Sequence, residues 1–137
     1  MNIDSIVNGI VIDHITAGKG MDIYELLKLN TLTCCVAIIK NVNSKKMGKK
    51  DIIKIDADIS LNTDIIGYVD PGITVNIIKN GKITEKKSIE LPEKLVNVIK
   101  CKNPRCITST EQELAHIFNL TDNANRVYRC IYCESQG

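Results

Sequence analysis

The sequence predicts an α+β protein: a ferredoxin-like (βαββαβ) antiparallel-sheet sandwich followed by a small, mostly β domain organised by four cysteines. Three observations carry this expectation. Short runs of Ile, Val and Leu alternate with short helical patterns in the order β-α-β-β-α-β up to about Leu91, the order of a split βαβ sandwich. An Asn80–Gly81 dipeptide sits between two strand-like runs, the strongest short hairpin signal there is. Beyond Pro92 the apolar pattern stops, and Cys101, Cys106, Cys130 and Cys133 cluster in the short remainder.

The elements follow in order. Gly9–Ile15 ("GIVIDHI") is rich in β-branched residues and reads as a strand. Met21–Leu29 follows "AGKG" and places Ile23, Leu26, Leu27 and Leu29 on one side of a short helix. Leu32–Lys40 is a nearly continuous apolar run of strand length, and Asn41–Lys50 is polar and turn-like. Asp51–Asp56 is the next strand. Leu61–Asp70 fits a second short helix, stopped before Pro71 and Gly72, and the Asn80–Gly81 hairpin supplies the last two strands. The segment beyond Pro92 is too small to bury a self-sufficient core, because pieces of that size fold only with disulfides or a metal. The boundary is expected at residues 91 and 92.

Composition narrows the function. A net charge of +2 and 4% aromatic residues argue against a nucleic-acid or anionic-membrane surface. The first residues, "MNIDSIVNGIVIDH", lack the pattern of a signal peptide, and no apolar run approaches membrane-spanning length. A cytoplasmic protein is therefore expected, and disulfides rarely persist there.

The cysteines need another use. Cys101 and Cys106 form a Cys-x4-Cys pair, and Cys130 and Cys133 a Cys-x2-Cys pair. Each pair fits a tight turn that aims two thiolates at one point, and two pairs complete a tetrahedron suited to Zn²⁺. Four protein ligands leave no open position, which makes such a site structural. The spacing differs from iron–sulfur patterns, and a redox reading of Cys130–Cys133 lacks its strand-to-helix context. Cys34 and Cys35 are adjacent, so in a strand they would point apart; buried inert thiols are the expectation for them.

In the first domain Asp13 and His14 interrupt an apolar strand. Alternation along residues 50–55 puts Lys50, Ile52 and Lys54 on one face and Ile53 and Ile55 on the other. A lysine-bearing face is ordinarily a solvated one. If the sheet brings Lys50, Lys54 and Lys86 together, however, three ammonium groups make an anion site suited to a polyphosphate. "AGKG" lacks the spacing of a phosphate-binding loop, and no nucleophile–base pair stands out.

Taken together, "VIDHI", "MGKKDIIKI", "TVNII", "LPEKLVNV" and the Cys-x4-Cys…Cys-x2-Cys-Glu ending resemble the regulatory chain of aspartate carbamoyltransferase, in order and through almost the whole chain. The resemblance implies a non-catalytic subunit with a nucleotide-binding allosteric domain, residues 1–91, and a zinc-binding domain, residues 92–137. It implies a homodimer formed through the first domain, and contact with aspartate carbamoyltransferase catalytic chains through the second. CTP is implied as inhibitor and ATP as activator of the first committed step of pyrimidine synthesis. Carried over by motif, Lys86 and His14 face the phosphates, Asp13 and Lys54 the ribose, and Lys50 the site edge. Ser5, Ile6, Ile78 and Gly81 face the base, and Asn103 and Glu134 face the catalytic chain. Gly81 stands where the family often carries tyrosine, and Arg105 where it often carries asparagine. The alternative from another class is a freestanding zinc-ribbon adaptor that binds nucleic acid or protein.

Overall fold

The computed structural model describes residues 6–111 and 113–137; Ser5 lies outside them. The chain divides into two units, one ending at Glu90 and the other spanning Leu91–Gly137.

The first unit is a five-stranded antiparallel sheet with two helices. Its elements are β1 (Gly9–Thr16), α1 (Gly20–Leu26), β2 (Val36–Ser44), β3 (Gly48–Ile55), α2 (Thr63–Val69), β4 (Thr74–Lys79) and β5 (Lys82–Ser88), with a 3-10 turn at Leu29–Thr31. The strand order is β2-β3-β1-β4-β5, antiparallel at every pairing. Ile10, Ile12 and Ile15 of β1, Ile53 and Ile55 of β3 and Val75 of β4 form one buried cluster with Ile23 of α1 and Ile66 of α2. Both helices thus cover the same face of the sheet. The opposite face, carrying Val11, Asp13, Ile52, Lys54 and Asn76, is left open as the floor of a cavity.

Two irregularities shape this sheet. The pairing of β1 with β3 slips between Ile12 and Ile15, where His14 takes a left-handed backbone (φ 60°). This bulge returns Ile15 to the core while Asp13 stays on the open face. β2 has a matching slip between Ile39 and Val42, with Asn41 also left-handed. Asp51 stands opposite both. Its carboxylate, fully buried, accepts backbone N–H bonds from Gly18, Gly20 and Asn41 at 3.0, 3.1 and 3.1 Å. A Cβ on Gly20 would lie 2.9 Å from Asp51 Oδ2, so the start of α1 can approach this carboxylate only as glycine.

The elements depart from the expected spans in instructive ways. The helix predicted over Met21–Leu29 ends at Leu26, and Leu26 is exposed rather than packed. The chain turns there through left-handed Lys28 into the 3-10 turn, which buries Leu29 instead. The second helix is shorter than Leu61–Asp70 because Asn62 caps it, accepting from the Asp64 N–H at 3.0 Å. β2 begins at Val36, four residues after the predicted start, and it runs through the polar segment to Ser44; strand pairing with β3, which starts at Gly48, overrides the turn-like composition. Cys34 and Cys35 consequently precede the strand. Cys34 packs against the core, whereas Cys35 is exposed, which corrects the expectation of two buried thiols.

The second unit carries β6 (Lys94–Val96), α3 (Ile107–Thr110), β7 (Ile117–Asp122) and β8 (Val127–Cys130), the strands forming an antiparallel sheet β6-β7-β8. Its core is slight: Leu95, Phe118 and Tyr128 with Cys106, Cys130 and Thr108. The Tyr128 hydroxyl donates to the Pro92 carbonyl at 2.6 Å, fastening the start of the unit to its sheet. Among the described residues no helix is long and apolar enough to cross a membrane.

Candidate functional site

The open face of the first sheet holds a cavity of about 590 Å³ lined by Ile6, Val7, Val11, Asp13, Ile52, Lys54, Asn76, Ile78, Gly81 and Ile83, a size and mixed lining typical of small-ligand sites. Cross-strand register sets its layout. Lys54 pairs with Val11, Val11 with Asn76, and Asn76 with Lys86, so one row across four strands carries a lysine at each end. The apolar end is built where the hairpin meets the segment before β1. Asn80 (φ 55°) and Gly81 (φ 75°) form the turn. Gly81 N–H donates to the Val7 carbonyl at 2.9 Å, and Asn80 N–H to Asn8 Oδ1 at 3.2 Å.

The expected residues fall into three groups. Ile6, Asp13, Lys54, Ile78 and Gly81 line the cavity. Lys50, His14 and Lys86 border it: Lys50 Nζ bonds Asp13 Oδ1 at 2.9 Å, His14 N–H donates to the same oxygen at 2.6 Å, and Lys86 stands beside Asn76. Ser5 is outside the described residues. The three lysines do not form one compact cluster, because Lys50 is tied to Asp13 and the Lys54–Lys86 row spans three strand spacings, roughly 14 Å. They frame the cavity from two sides. Burial pushes the Asp13 carboxyl up, but the Lys50 ammonium, the His14 N–H and the nearby positive charge outweigh it and hold Asp13 below its ordinary 3.8.

Asn76 was missed by sequence reasoning. Its Oδ1 and the Nδ1 of His14 are buried without a hydrogen-bond partner, which native interiors rarely tolerate unless a ligand or solvent satisfies the atom. The available signal was a single amide in the otherwise apolar "TVNII" strand.

The second unit brings all four predicted cysteines together. The Sγ atoms of Cys101, Cys106, Cys130 and Cys133 lie within 4.8 Å of one another, with Cys101–Cys133 at 3.5 Å and Cys106–Cys130 at 3.7 Å. Tetrahedral zinc with Zn–S near 2.3 Å requires S···S edges of about 3.8 Å, so the donor set fits the ion in type, number and spacing. Cys106 caps the short α3, and Cys130 and Cys133 flank the turn after β8. Burial first, then hydrogen bonding within the cluster, pushes the Cys101 thiol up to about 12. Hydrogen bonds from Ser135, and further from Asn103, draw Cys133 down to about 6. Four thiolates in this space need a cation between them.

Around the cluster, Thr108 Oγ1 lies 3.1 Å from Cys106 Sγ. His116 Nδ1 accepts the Cys101 N–H at 3.2 Å, making His116 a positioning group that the spacing of the cysteines alone did not reveal. Asn103 bridges the two cysteine turns: its Nδ2 donates to Ser135 Oγ at 3.3 Å, and its carbonyl accepts from Cys106 N–H at 3.1 Å. Glu134 is exposed, with a left-handed backbone (φ 63°).

With this geometry, a small-ligand cavity on one unit and a four-cysteine metal-binding cluster on the other define a two-unit ligand- and metal-binding chain. Comparison with known proteins agrees. Residues 1–90 match the family model "Aspartate carbamoyltransferase regulatory chain, allosteric domain", and residues 93–136 match "Aspartate carbamoyltransferase regulatory chain, metal binding domain". A regulatory chain of that name from Clostridium botulinum is 50% identical over 98% of this chain and 92% of its own length. One from Clostridium tetani is 50% identical over 98% and 94%, and one from Bifidobacterium longum 43% identical over 100% and 99%. The chain belongs to the aspartate carbamoyltransferase regulatory chain family.

Proposed function

We propose that this chain is a cytoplasmic, non-catalytic subunit that binds CTP as inhibitor and ATP as activator, and passes the signal to aspartate carbamoyltransferase catalytic chains in pyrimidine biosynthesis. The carrying observation is the polarity of the cavity in the first unit. Ile6, Val7, Ile78 and Ile83 provide apolar walls for a base at one end, while Asp13, Lys54 and Asn76 supply polar groups to a ribose. Lys86 and His14 stand beside these for the phosphates, and Lys50 fixes Asp13 at the edge. Ser5 would contribute from the segment before Ile6. The orphaned Asn76 Oδ1 and His14 Nδ1 then gain partners from the ligand. Calorimetry of the full chain with CTP and with ATP tests this; absence of heat with both nucleotides would refute it.

The first unit is read as a ferredoxin-like sandwich with an added edge strand, which the order β2-β3-β1-β4 and the helices in both crossovers support. Its two edges differ. β5 is exposed along all seven residues and largely charged, the usual guard against pairing. β2 carries half-buried Val36, Ala37, Ile38 and Ile39 and is the edge through which a homodimer would form. In the second unit the ion is structural Zn²⁺, held by Cys101, Cys106, Cys130 and Cys133, one per chain; it supplies cohesion and no chemistry. The cysteine turns also present Ile107, Ile131 and Tyr132, exposed by 50, 40 and 42%. Such apolar surface beside Asn103 and Glu134 fits contact with a catalytic chain.

A further inference from the structure

The end of the β2–β3 hairpin is strongly basic. Lys40, Lys45, Lys46, Lys49 and Lys50 fall within eleven consecutive residues that hold no acid. Their charge exceeds the +2 of the whole chain, so the rest of the molecule is net negative. Lys50 is neutralised by Asp13. The others are not. Lys40, Lys45, Lys46 and Lys49 are exposed; Lys49 Nζ donates to the neutral Asn43 Oδ1 at 2.6 Å. Among the described residues no carboxylate pairs with Lys45 or Lys46.

The hairpin end projects from the edge of the cavity. β3 leaves the turn at Gly48, reaches Lys50 on the cavity-lining Asp13, and then supplies Ile52 and Lys54 to the lining. At about 3.3 Å per residue the turn that carries Lys45 and Lys46 stands roughly 7–10 Å beyond Lys50. That is too far to grip a ligand held beside Asn76, yet only about one screening length away at physiological ionic strength. From the charge and this placement we infer that the hairpin end is an electrostatic guide: it draws polyanionic ligands toward the cavity and speeds their capture, without touching them once bound. Fields of this kind raise association rates by about tenfold or more and fade with salt. The inference rests on the nucleotide reading of the cavity.

Stopped-flow binding of mant-CTP to the full chain tests it. The variant K45Q/K46Q/K49Q should associate about three- to tenfold more slowly at low salt, with dissociation unchanged within about twofold, and the difference should vanish near 0.5 M salt as screening tightens. Removing the same charge from the second unit, in K94Q/K100Q/K102Q, should leave a smaller change. An unaltered association rate in the hairpin variant overturns the guide while leaving the nucleotide site intact. Faster dissociation overturns it too, because the lysines would then be ligand contacts. A wild-type chain that binds no mant-CTP at all removes the nucleotide reading and the guide together.

Discussion

Asp13 carries three relations at once: it lines the cavity, it pairs with Lys50 and it accepts from the bulged His14 backbone. Because its folded pKa is depressed below 3.8, its contribution to stability is complete above that value and is lost as pH falls through the folded pKa. The pair is partly solvated, so the contribution is modest, about 0.2–1 kcal/mol. The stability difference between wild type and D13N, measured by denaturant unfolding, should therefore be constant from neutral pH to about pH 5 and shrink below the ordinary carboxylate range. Lys86 belongs to the same scale. If it meets the triphosphate, which CTP and ATP share, K86A should weaken both by one to two decades, the equivalent of a charged hydrogen bond of about 1.5–3 kcal/mol. K54A, closer to the region where the two effectors differ, should change the response of the assembled enzyme more than raw affinity. Effector titrations followed by calorimetry and by activity separate these outcomes.

At the scale of elements, the two bulges and Asp51 act as one device. Left-handed His14 and Asn41 relieve β1 and β2 of strict alternation, and the buried carboxylate between them collects three backbone N–H groups. D51A would strand those donors, each at a cost of about 1–3 kcal/mol, against a total stability of about 5–15 kcal/mol for a domain. Thermal unfolding of D51A should show the first unit severely destabilised or unfolded. G20A should act through the same contact, by roughly 1–3 kcal/mol, since its Cβ would be driven against Asp51 Oδ2. A melting temperature within a degree of wild type for D51A would show that the carboxylate is incidental.

At the scale of the whole molecule, the two units draw on different sources of stability. The first has a continuous isoleucine core, and the second has three large apolar side chains and a thiolate cluster. Zinc binding to such ligands is worth on the order of 10–16 kcal/mol at neutral pH, more than the second unit could draw from its core. C130S, or chelation, should unfold Leu91–Gly137 and leave the first unit folded. Amide spectra resolve the two sets of signals, and elemental analysis gives the zinc content. Metal loss should also abolish assembly with catalytic chains while nucleotide binding persists, which size-exclusion chromatography and calorimetry on the same sample distinguish.

Local chemistry was enough for much of this. The four cysteines were legible because short spacing alone aims two thiolates at a point, and the Asn80–Gly81 turn because few other residues accept two left-handed conformations. The core face of β3 was legible from alternation, and Asp51, sharing parity with Ile53 and Ile55, carried a readable hint of burial. What the sequence could not determine were the bulges at His14 and Asn41, which break the alternation that sequence reading relies on. Nor could it show the short α1, the exposure of Leu26 and Cys35, or the place of Asn76. Those were decided by which strands became neighbours: register across β3, β1, β4 and β5 set Lys54, Val11, Asn76 and Lys86 in one row, and pairing between distant segments leaves no periodicity within any one of them.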